Sequence, residues 1–378
     1  MKRILILNYE FPPLGGGGGV ATRQLAIGFL RMGYHVDCVT SSFEGLKSFE
    51  VVDGIHVHRV RVIGRKELPT ATMSSLLSFP FLAYRKSAEL CKLHRYEFIN
   101  THFALPTGPL GVWMSKRFGI KNILSLHGGD IYDPTKRFSP HRKWYFRSVV
   151  RWVLRQSDVV TAQSSNTAGG VKKYYDDTKE IALIPLAYES FPFSPKTREE
   201  LGLRNDVFYT VSVGRLVPRK GFDFLIRSLA KIPDERVQAL IVGSGPEGDR
   251  LHELAESLGI SDRVHIISGA TDERKFQYLS VADVFVLSSV HEGFGIVVQE
   301  AMQVGLPIIA TNEGGQVDFV KEGQNGFLIT HGKDDELVDA LSRMREDAEA
   351  RKFFSEQNLE TIKRFDLDRI SREHLNLL

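Results

Sequence analysis

Apolar residues fall along the first half of the chain in short runs, at Arg3–Asn8, His35–Thr40, Ile55–Val60, Phe98–Thr101, Asn122–Leu126, Val159–Ala162 and Ile181–Pro185. Runs this short read as buried strands. Longer stretches between them read as helices, among them Val20–Met32, Leu76–His94 and Lys143–Gln156. Strand–helix alternation of this kind predicts an α/β protein with a doubly wound parallel sheet. Ligands of such sheets sit beyond the carboxyl ends of the strands. The pattern breaks at Tyr188–Lys196 (YESFPFSPK), then restarts with strands expected at Val207–Val213, Val237–Val242, Val264–Ser268, Val284–Leu287, Pro307–Thr311 and Phe327–Thr330. Two domains are therefore expected, 1–189 and 190–364, each long enough for its own core. The final segment, Phe365–Leu378, reads as a helix placed after the second domain has closed.

The strand-end loops carry the chemistry. Phe11–Gly19 (FPPLGGGGG) leads from the first strand into a helix, and its bare backbone suits close approach to a phosphate or sugar. The alternative, a floppy linker, is odd between a strand and its crossover helix. His127–Asp130 (HGGD) follows the strand NILSL and reads as an active-site edge; a satisfied surface histidine is the competing reading. In the second half the first strand ends VSVGRLVPRKG. Arg215 offers a planar fork there and Lys220 a point charge, a pair suited to a diphosphate. Gly243–Gly248 (GSGPEG) spells a dinucleotide fingerprint, but it follows the domain's second strand instead of its first, and Pro246 lacks an N–H. Asp366–Asp368 (DLD) mimics a metal-carrying pair, yet it opens the terminal helix, where capping explains it.

His291–Glu300 (HEGFGIVVQE) joins a buried strand to a helix through a glycine turn. Gly293 and Gly295 clear side chains from the turn, and the helix beginning at Ile296 presents unpaired N–H groups to an anion. Glu292 and Glu300 frame it. A carboxylate beside an anion site suits the hydroxyls of a ribose or hexose. An ordinary loop with solvated glutamates stays open on this motif alone.

Composition adds two constraints. Cys38 and Cys91 show no pairing or metal spacing, which suits a reducing cytosol. No apolar stretch approaches the ~18 residues that span a bilayer. The net charge of +3 hides an asymmetry: residues 1–190 carry 26 Lys+Arg against 15 Asp+Glu, and the remainder carries the acidic excess. A basic first half points to an anionic partner or surface.

Taken together, the glycine loop at Gly15–Gly19, the HGGD loop, the G-R-x4-K pattern at Arg215 and Lys220, VGSGPE, and E-x7-E at Glu292 and Glu300 make the chain resemble a retaining family-4 glycosyltransferase of the GT-B type. The resemblance covers essentially the whole chain. It implies two Rossmann-like domains facing a cleft, with the helix at 365–378 crossing back to the first. It implies that Arg215 and Lys220 neutralise a diphosphate leaving group, with Ile296 as a further N–H donor. Glu300 would accept from the nucleotide ribose, and Glu292 with the Gly293, Phe294 and Gly295 backbone would contact the transferred sugar. Thr271 and Lys275 fall near the base-contacting loop, His127 matches the histidine at the reacting sugar, and Gly16, Gly17 and Gly18 match the loop over the phosphates. LIPLAYES at 183–190 departs from the family's usual Asn-Gly-Val-Asp turn, which touches the hinge more than the chemistry.

The expected activity is metal-independent retaining hexosyl transfer, without cofactor, from GDP-mannose or a UDP-hexose to a glycan or lipid-linked acceptor in polysaccharide or glycoconjugate synthesis. Two other readings compete: a nucleotide-dependent oxidoreductase or epimerase, resting on GSGPEG, and a non-catalytic sugar-nucleotide binder. No nucleic-acid partner is expected. The expected location is the cytoplasm, with peripheral attachment to the inner membrane face as a further expectation. In 142–155, Arg142, Lys143, Arg147, Arg151 and Arg155 alternate with Trp144, Tyr145, Phe146 and Trp152. Such a helix suits an anionic lipid surface; a crossover helix with water-facing arginines explains it equally well.

Overall fold

The computed structural model describes every residue except Met1, Pro69, Arg137, Asp177 and Leu378. The last residue of the expected terminal helix therefore lies outside the described residues. The chain divides into two compact units, residues 1–189 with 365–378, and residues 190–364.

Unit 1 is built on strands β1 (Arg3–Leu7), β2 (His35–Ser41), β3 (Phe49–Val52), β4 (Ile55–Val60), β5 (Phe98–His102), β6 (Lys121–Leu126), β7 (Val159–Ala162) and β8 (Ala182–Leu183). They form one sheet in the order β3-β4-β2-β1-β5-β6-β7-β8, parallel except for β3. Both faces of β1 are covered. Ile4 and Ile6 face the core of helix α1 (Gly17–Arg31), whereas Leu5 and Leu7 face that of α2 (Met73–Leu93). That is why RILIL is apolar without alternation. Strand β3 escaped the apolar pattern because it is an edge strand, with Phe49 and Val51 exposed. Its signal was the Asp53–Gly54 pair; both residues have positive φ (52° and 85°), as a tight hairpin turn needs.

Three further helices complete the run: α3 (Gly108–Phe118), α4 (Trp144–Gln156) and α5 (Ser165–Tyr174). The expected glycine loop is shorter than the sequence suggests, because Gly17–Gly19 already form the first turn of α1. The α4 arginines do not simply face water. Arg147 and Arg151 donate to the carbonyls of Tyr174 and Tyr175, and Arg155 pairs with Asp176, so the row caps the end of α5.

Unit 2 carries β9 (Phe208–Val213), β10 (Val237–Val242), β11 (Val264–Ile267), β12 (Val284–Leu287), β13 (Ile308–Thr311) and β14 (Gly326–Ile329). Their order, β11-β10-β9-β12-β13-β14, is wholly parallel and reverses direction between β9 and β12. Helices α6 (Phe222–Ala230), α7 (Gly248–Ser257), α8 (Asp272–Val281), α9 (Ile296–Gln303), α10 (Asp334–Glu346) and α11 (Ala348–Thr361) make the crossovers and the unit's C-terminal cover. Helix α12 (Leu367–Leu375) then belongs to unit 1. Leu367 and Ile370 pack with Ile184, Ala187 and Ile27, and Tyr188 donates to the Phe365 carbonyl.

Candidate active site

The reversal point of unit 2 is where a doubly wound sheet opens a ligand crevice, and the singled-out residues gather there. β9 exits through Gly214 and Arg215 into a one-turn helix, Pro218–Lys220. The GSGPEG glycines support this loop. A Cβ at Gly243 would fall well inside contact distance of the Gly214 carbonyl oxygen, and one at Gly245 would collide with the backbone of Leu216. Leu216 is also hydrogen-bonded on both sides, to Ser244 and from Glu247. Gly243 and Gly245 are thus used to pack backbone against backbone. Arg215 is exposed on this loop, while Lys220 is largely buried and runs past Gly214.

β12 exits through Ser288, Ser289 and His291 to Glu292. The Glu292 carboxylate accepts from Lys220 Nζ at 2.5 Å and Ser289 Oγ at 2.8 Å on Oε1, and from Arg219 at 3.3 Å on Oε2. Burial alone would raise its pKa, but the two cations and these hydrogen bonds outweigh it and hold the carboxyl at about 2. Its backbone is fixed as well, since the Gly315 N–H donates to the Glu292 carbonyl at 2.9 Å. Arg219, Ser289 and the glycine pair after β13 were not singled out in the sequence. Arg219 stands beside Lys220 in the PRK turn, and EGGQ at 313–316 repeats the strand-then-glycine signal used elsewhere.

Gly295, at φ +103°, turns the chain into α9 and lets the amides of Ile296 and Val297 open that helix. Phe294 offers only its backbone, because its ring is buried against Phe319. One turn into α9 stands Glu300, whose Oε1 accepts from Lys275 at 2.6 Å. Burial raises the Glu300 carboxyl, with Lys275 opposing. Burial would lower Lys275, but the carboxylates of Glu300 and Asp272 raise it. The second oxygen, Oε2, is buried and has no hydrogen-bond partner among the described residues. Thr271 caps α8 by accepting from the Arg274 N–H. Unit 2 thus brings Lys220 to Glu292 and Lys275 to Glu300, and the charge of Lys220 also reaches Glu300.

In unit 1 a polar chain crosses the carboxyl ends of β1, β5 and β6. Asn8 donates to Thr22, Thr22 contacts both the Gly18 carbonyl and His102, and His102 Nδ1 meets His127 Nε2 at 2.9 Å. Gly18 lies on the Phe103 ring, where a Cβ would collide, and that ring packs tilted against His127 with centroids 4.4 Å apart. The Gly16 N–H donates to the Glu10 carboxylate at 3.2 Å. Gly17 follows in the first turn of α1. Burial lowers His127 to about 3, and His374 of α12 adds to the shift, so the imidazole is neutral. Asp130 holds the loop by accepting from the amides of His127 and Ala104, and burial raises its carboxyl to about 6. His102, His127 and His374 line one cavity of about 20 Å³, room for a single water.

Each unit therefore has a glycine-opened carboxyl edge with ionised or neutral groups fixed by neighbours, the place where a doubly wound sheet takes its ligand. The model of glycosyl transferases group 1 matches residues 193–361 and that of glycosyltransferase family 4 matches residues 15–189; the chain belongs to this glycosyltransferase family and has its GT-B fold. Among relatives, N-acetyl-alpha-D-glucosaminyl L-malate synthase of Bacillus anthracis is 24% identical over 93% of this chain and 90% of its own. Sucrose-phosphate synthase of Thermosynechococcus elongatus superposes with a TM-score of 0.84 at 23% identity, covering 100% of this chain and 98% of that one. Anabaena HepE, solved with UDP and glucose, gives 0.77 at 23% identity over the whole of both chains.

Proposed function

We propose that the protein is a retaining hexosyltransferase that carries a sugar from GDP-mannose or a UDP-hexose to a glycan or lipid-linked acceptor. The observation that carries this reading is Glu300 Oε2, a buried acceptor left without a donor while Oε1 is locked by Lys275. A buried oxygen in that state wants a hydroxyl, and the ribose of a nucleotide supplies two. Glu292, ionised throughout the neutral range, can only accept; Oε2, whose one partner among the described residues is Arg219, suits a hydroxyl of the donor hexose.

In this reading the bond from the anomeric carbon to the diphosphate breaks, and the acceptor hydroxyl oxygen bonds that carbon on the same face. The hydroxyl proton passes to the leaving diphosphate. Lys220 spends one of its donors on Glu292 and keeps others for phosphate oxygens. With Arg215 and the α9 amides it stabilises charge that grows in the transition state. His127, neutral and packed against Phe103, offers its imidazole to a sugar hydroxyl. The chain's own cations serve where a metal otherwise would. The HepE complex with UDP and glucose supports a UDP-hexose, and malate in the name of the Bacillus relative supports an anionic acceptor.

The surface of unit 1 supports peripheral attachment to an anionic membrane face. Helix α3 packs between α2 and α4. Phe81 (68% exposed) lies on α2 against Trp113 of α3, Trp144 (78% exposed) and Trp152 lie on α4, and α2 and α3 carry the exposed Arg85 and Arg117. Arg59, by contrast, is buried against Glu50 and the Pro12 carbonyl and adds no surface charge. Among the described residues no helix is long and apolar enough to cross a membrane. Binding to anionic vesicles that fades with salt is expected, and no binding at low salt would exclude the attachment.

The decisive experiment is a thermal-shift panel of UDP-hexoses, GDP-mannose and NAD(H), followed by hydrolysis of the best binder with and without EDTA. One sugar nucleotide is expected to stabilise the protein and to be turned over in EDTA. Stabilisation by NAD(H) alone would overturn the reading, and strict dependence on added divalent metal would overturn its metal-independent form.

A further inference from the structure

The opposite edge of the unit 1 sheet carries a cluster that the transfer reaction does not use. Strand β2 opens His35-Val36-Asp37 and β4 runs His56-Val57-His58. Alternation along each strand puts the two outer residues of each triplet on one face. The parallel register pairs Asp37 with His56 and so brings the triplets together. The middle residues, Val36 and Val57, enter the apolar core under α1. His35 is the first residue of β2 and His56 the second of β4, so the cluster lies at the amino ends of these strands, while His127 and the glycine loop lie at the carboxyl ends.

Asp37 is buried, and its carboxylate is oriented from several sides. Tyr96 donates at 2.9 Å and Arg3 at 3.1 Å to Oδ2, and His58 Nε2 lies 3.2 Å from Oδ1. His35 and His56 stand face to edge, ring centroids 4.2 Å apart. One ligand atom each from His35, Asp37 and His56 falls within 4.8 Å of the others. His35 Nε2, 3.6 Å from Asp37 Oδ2, is buried and makes no hydrogen bond among the described residues. Nitrogen and oxygen ligands at about 2.0–2.2 Å from a tetrahedral ion stand roughly 3.4 Å apart, so side-chain shifts of about an ångström would close the set.

We propose that His35, Asp37 and His56 bind a divalent transition-metal ion of the zinc class, with water in the fourth position. Two imidazoles and a carboxylate are a donor set such ions accept. The orphaned His35 nitrogen gains a partner, and Tyr96, Arg3 and His58 are the outer groups that hold the ligand carboxylate. The ion would tie β2 to β4, the strand that carries the edge hairpin. Its role is structural, because the site sits at the end of the sheet away from the proposed chemistry.

The test uses the full chain, stripped with EDTA, dialysed and titrated with Zn2+ by calorimetry, with Co2+ absorption as the report on ligand geometry. One Zn2+ per chain, a raised Tm and Co2+ ligand-field bands are expected. His35→Gln and His56→Gln are each expected to weaken binding at least about 100-fold, since loss of outer partners alone costs 10–100-fold. Circular dichroism and donor turnover should be unchanged in both. Should His35→Gln fail to fold, the more exposed His56→Gln carries the test. Absence of stoichiometric binding, or binding at full strength in the folded variants, overturns the proposal.

Discussion

Lys220 and Lys275 are both bound to a glutamate, yet the two pairs should answer differently to substitution. On the proposed function Lys220 faces the leaving diphosphate, and Lys220→Ala is expected to lower kcat by roughly 10²-fold. The ribose contacts proposed for Glu300 change little during reaction, so Glu300→Ala should raise the donor KM with kcat nearly kept. Near-normal turnover of Lys220→Ala, or an unchanged KM for Glu300→Ala, would break these assignments. Lys275→Met should cost stability more than rate, on the order of 3 kcal/mol in a urea melt, because it leaves the largely buried Glu300 without its cation. Glu292, Glu300, Arg215 and Lys220 were legible from the sequence because glycine turns and charged residues at strand ends are local signals. Their pairings were not. Lys220 and Glu292 follow β9 and β12, strands that become neighbours only through the crossover order, and nothing local to either encodes it.

At the scale of elements, the parallel strands were legible for the reason that makes them stable: burial on both faces leaves an unbroken apolar run. Edge strand β3 and the glycine-rich start of α1 were not. In both, tertiary packing or turn geometry overrides composition, as where Phe103 seats Gly18. Helix α12 shows the same dependence on fit. A Cβ at Gly28 would fall well inside contact distance of Ser371 Oγ. Gly28→Ala would favour α1 by up to about 1 kcal/mol on propensity alone, but overpacking costs about 1–3 kcal/mol. The variant is therefore expected to lower the Tm of unit 1. An equal or raised Tm would mean that α12 docks less tightly than its buried Leu367 and Ile370 imply.

For the whole molecule, the buried titratable groups set two acid windows. Burial lowers His127 to about 3, His374 to about 4, and His102 well below its usual value. In the unfolded chain these histidines take protons near pH 6.5, so between there and about 4 the unfolded state holds more protons and stability falls with pH. Asp130, raised to about 6, binds its proton first when folded and offsets part of the loss. In unit 2, the lowered Glu292 contributes stability that is present above about 4.5 and lost towards 2, while the raised Glu300 opposes it. Unit 1 should thus weaken first on acidification. All three tryptophans, Trp113, Trp144 and Trp152, lie in unit 1. Denaturant melts at about pH 7 and about pH 5 should therefore show the fluorescence midpoint falling further than the rest of the far-ultraviolet dichroism. Parallel shifts would contradict the histidine assignment.

The return of α12 to unit 1 bears on the order in which the nascent polypeptide matures. Residues 1–189 leave the ribosome with the seat formed by Ile27, Ile184 and Ala187 uncovered, and residues 190–364 can fold before the helix that fills it is made. The first unit synthesised is then the last completed, and its bare seat is an apolar surface that a chaperone can hold meanwhile. Chains arrested after Arg364 should keep residues 1–189 sensitive to protease while residues 190–364 resist it, and release of the final helix should remove the difference.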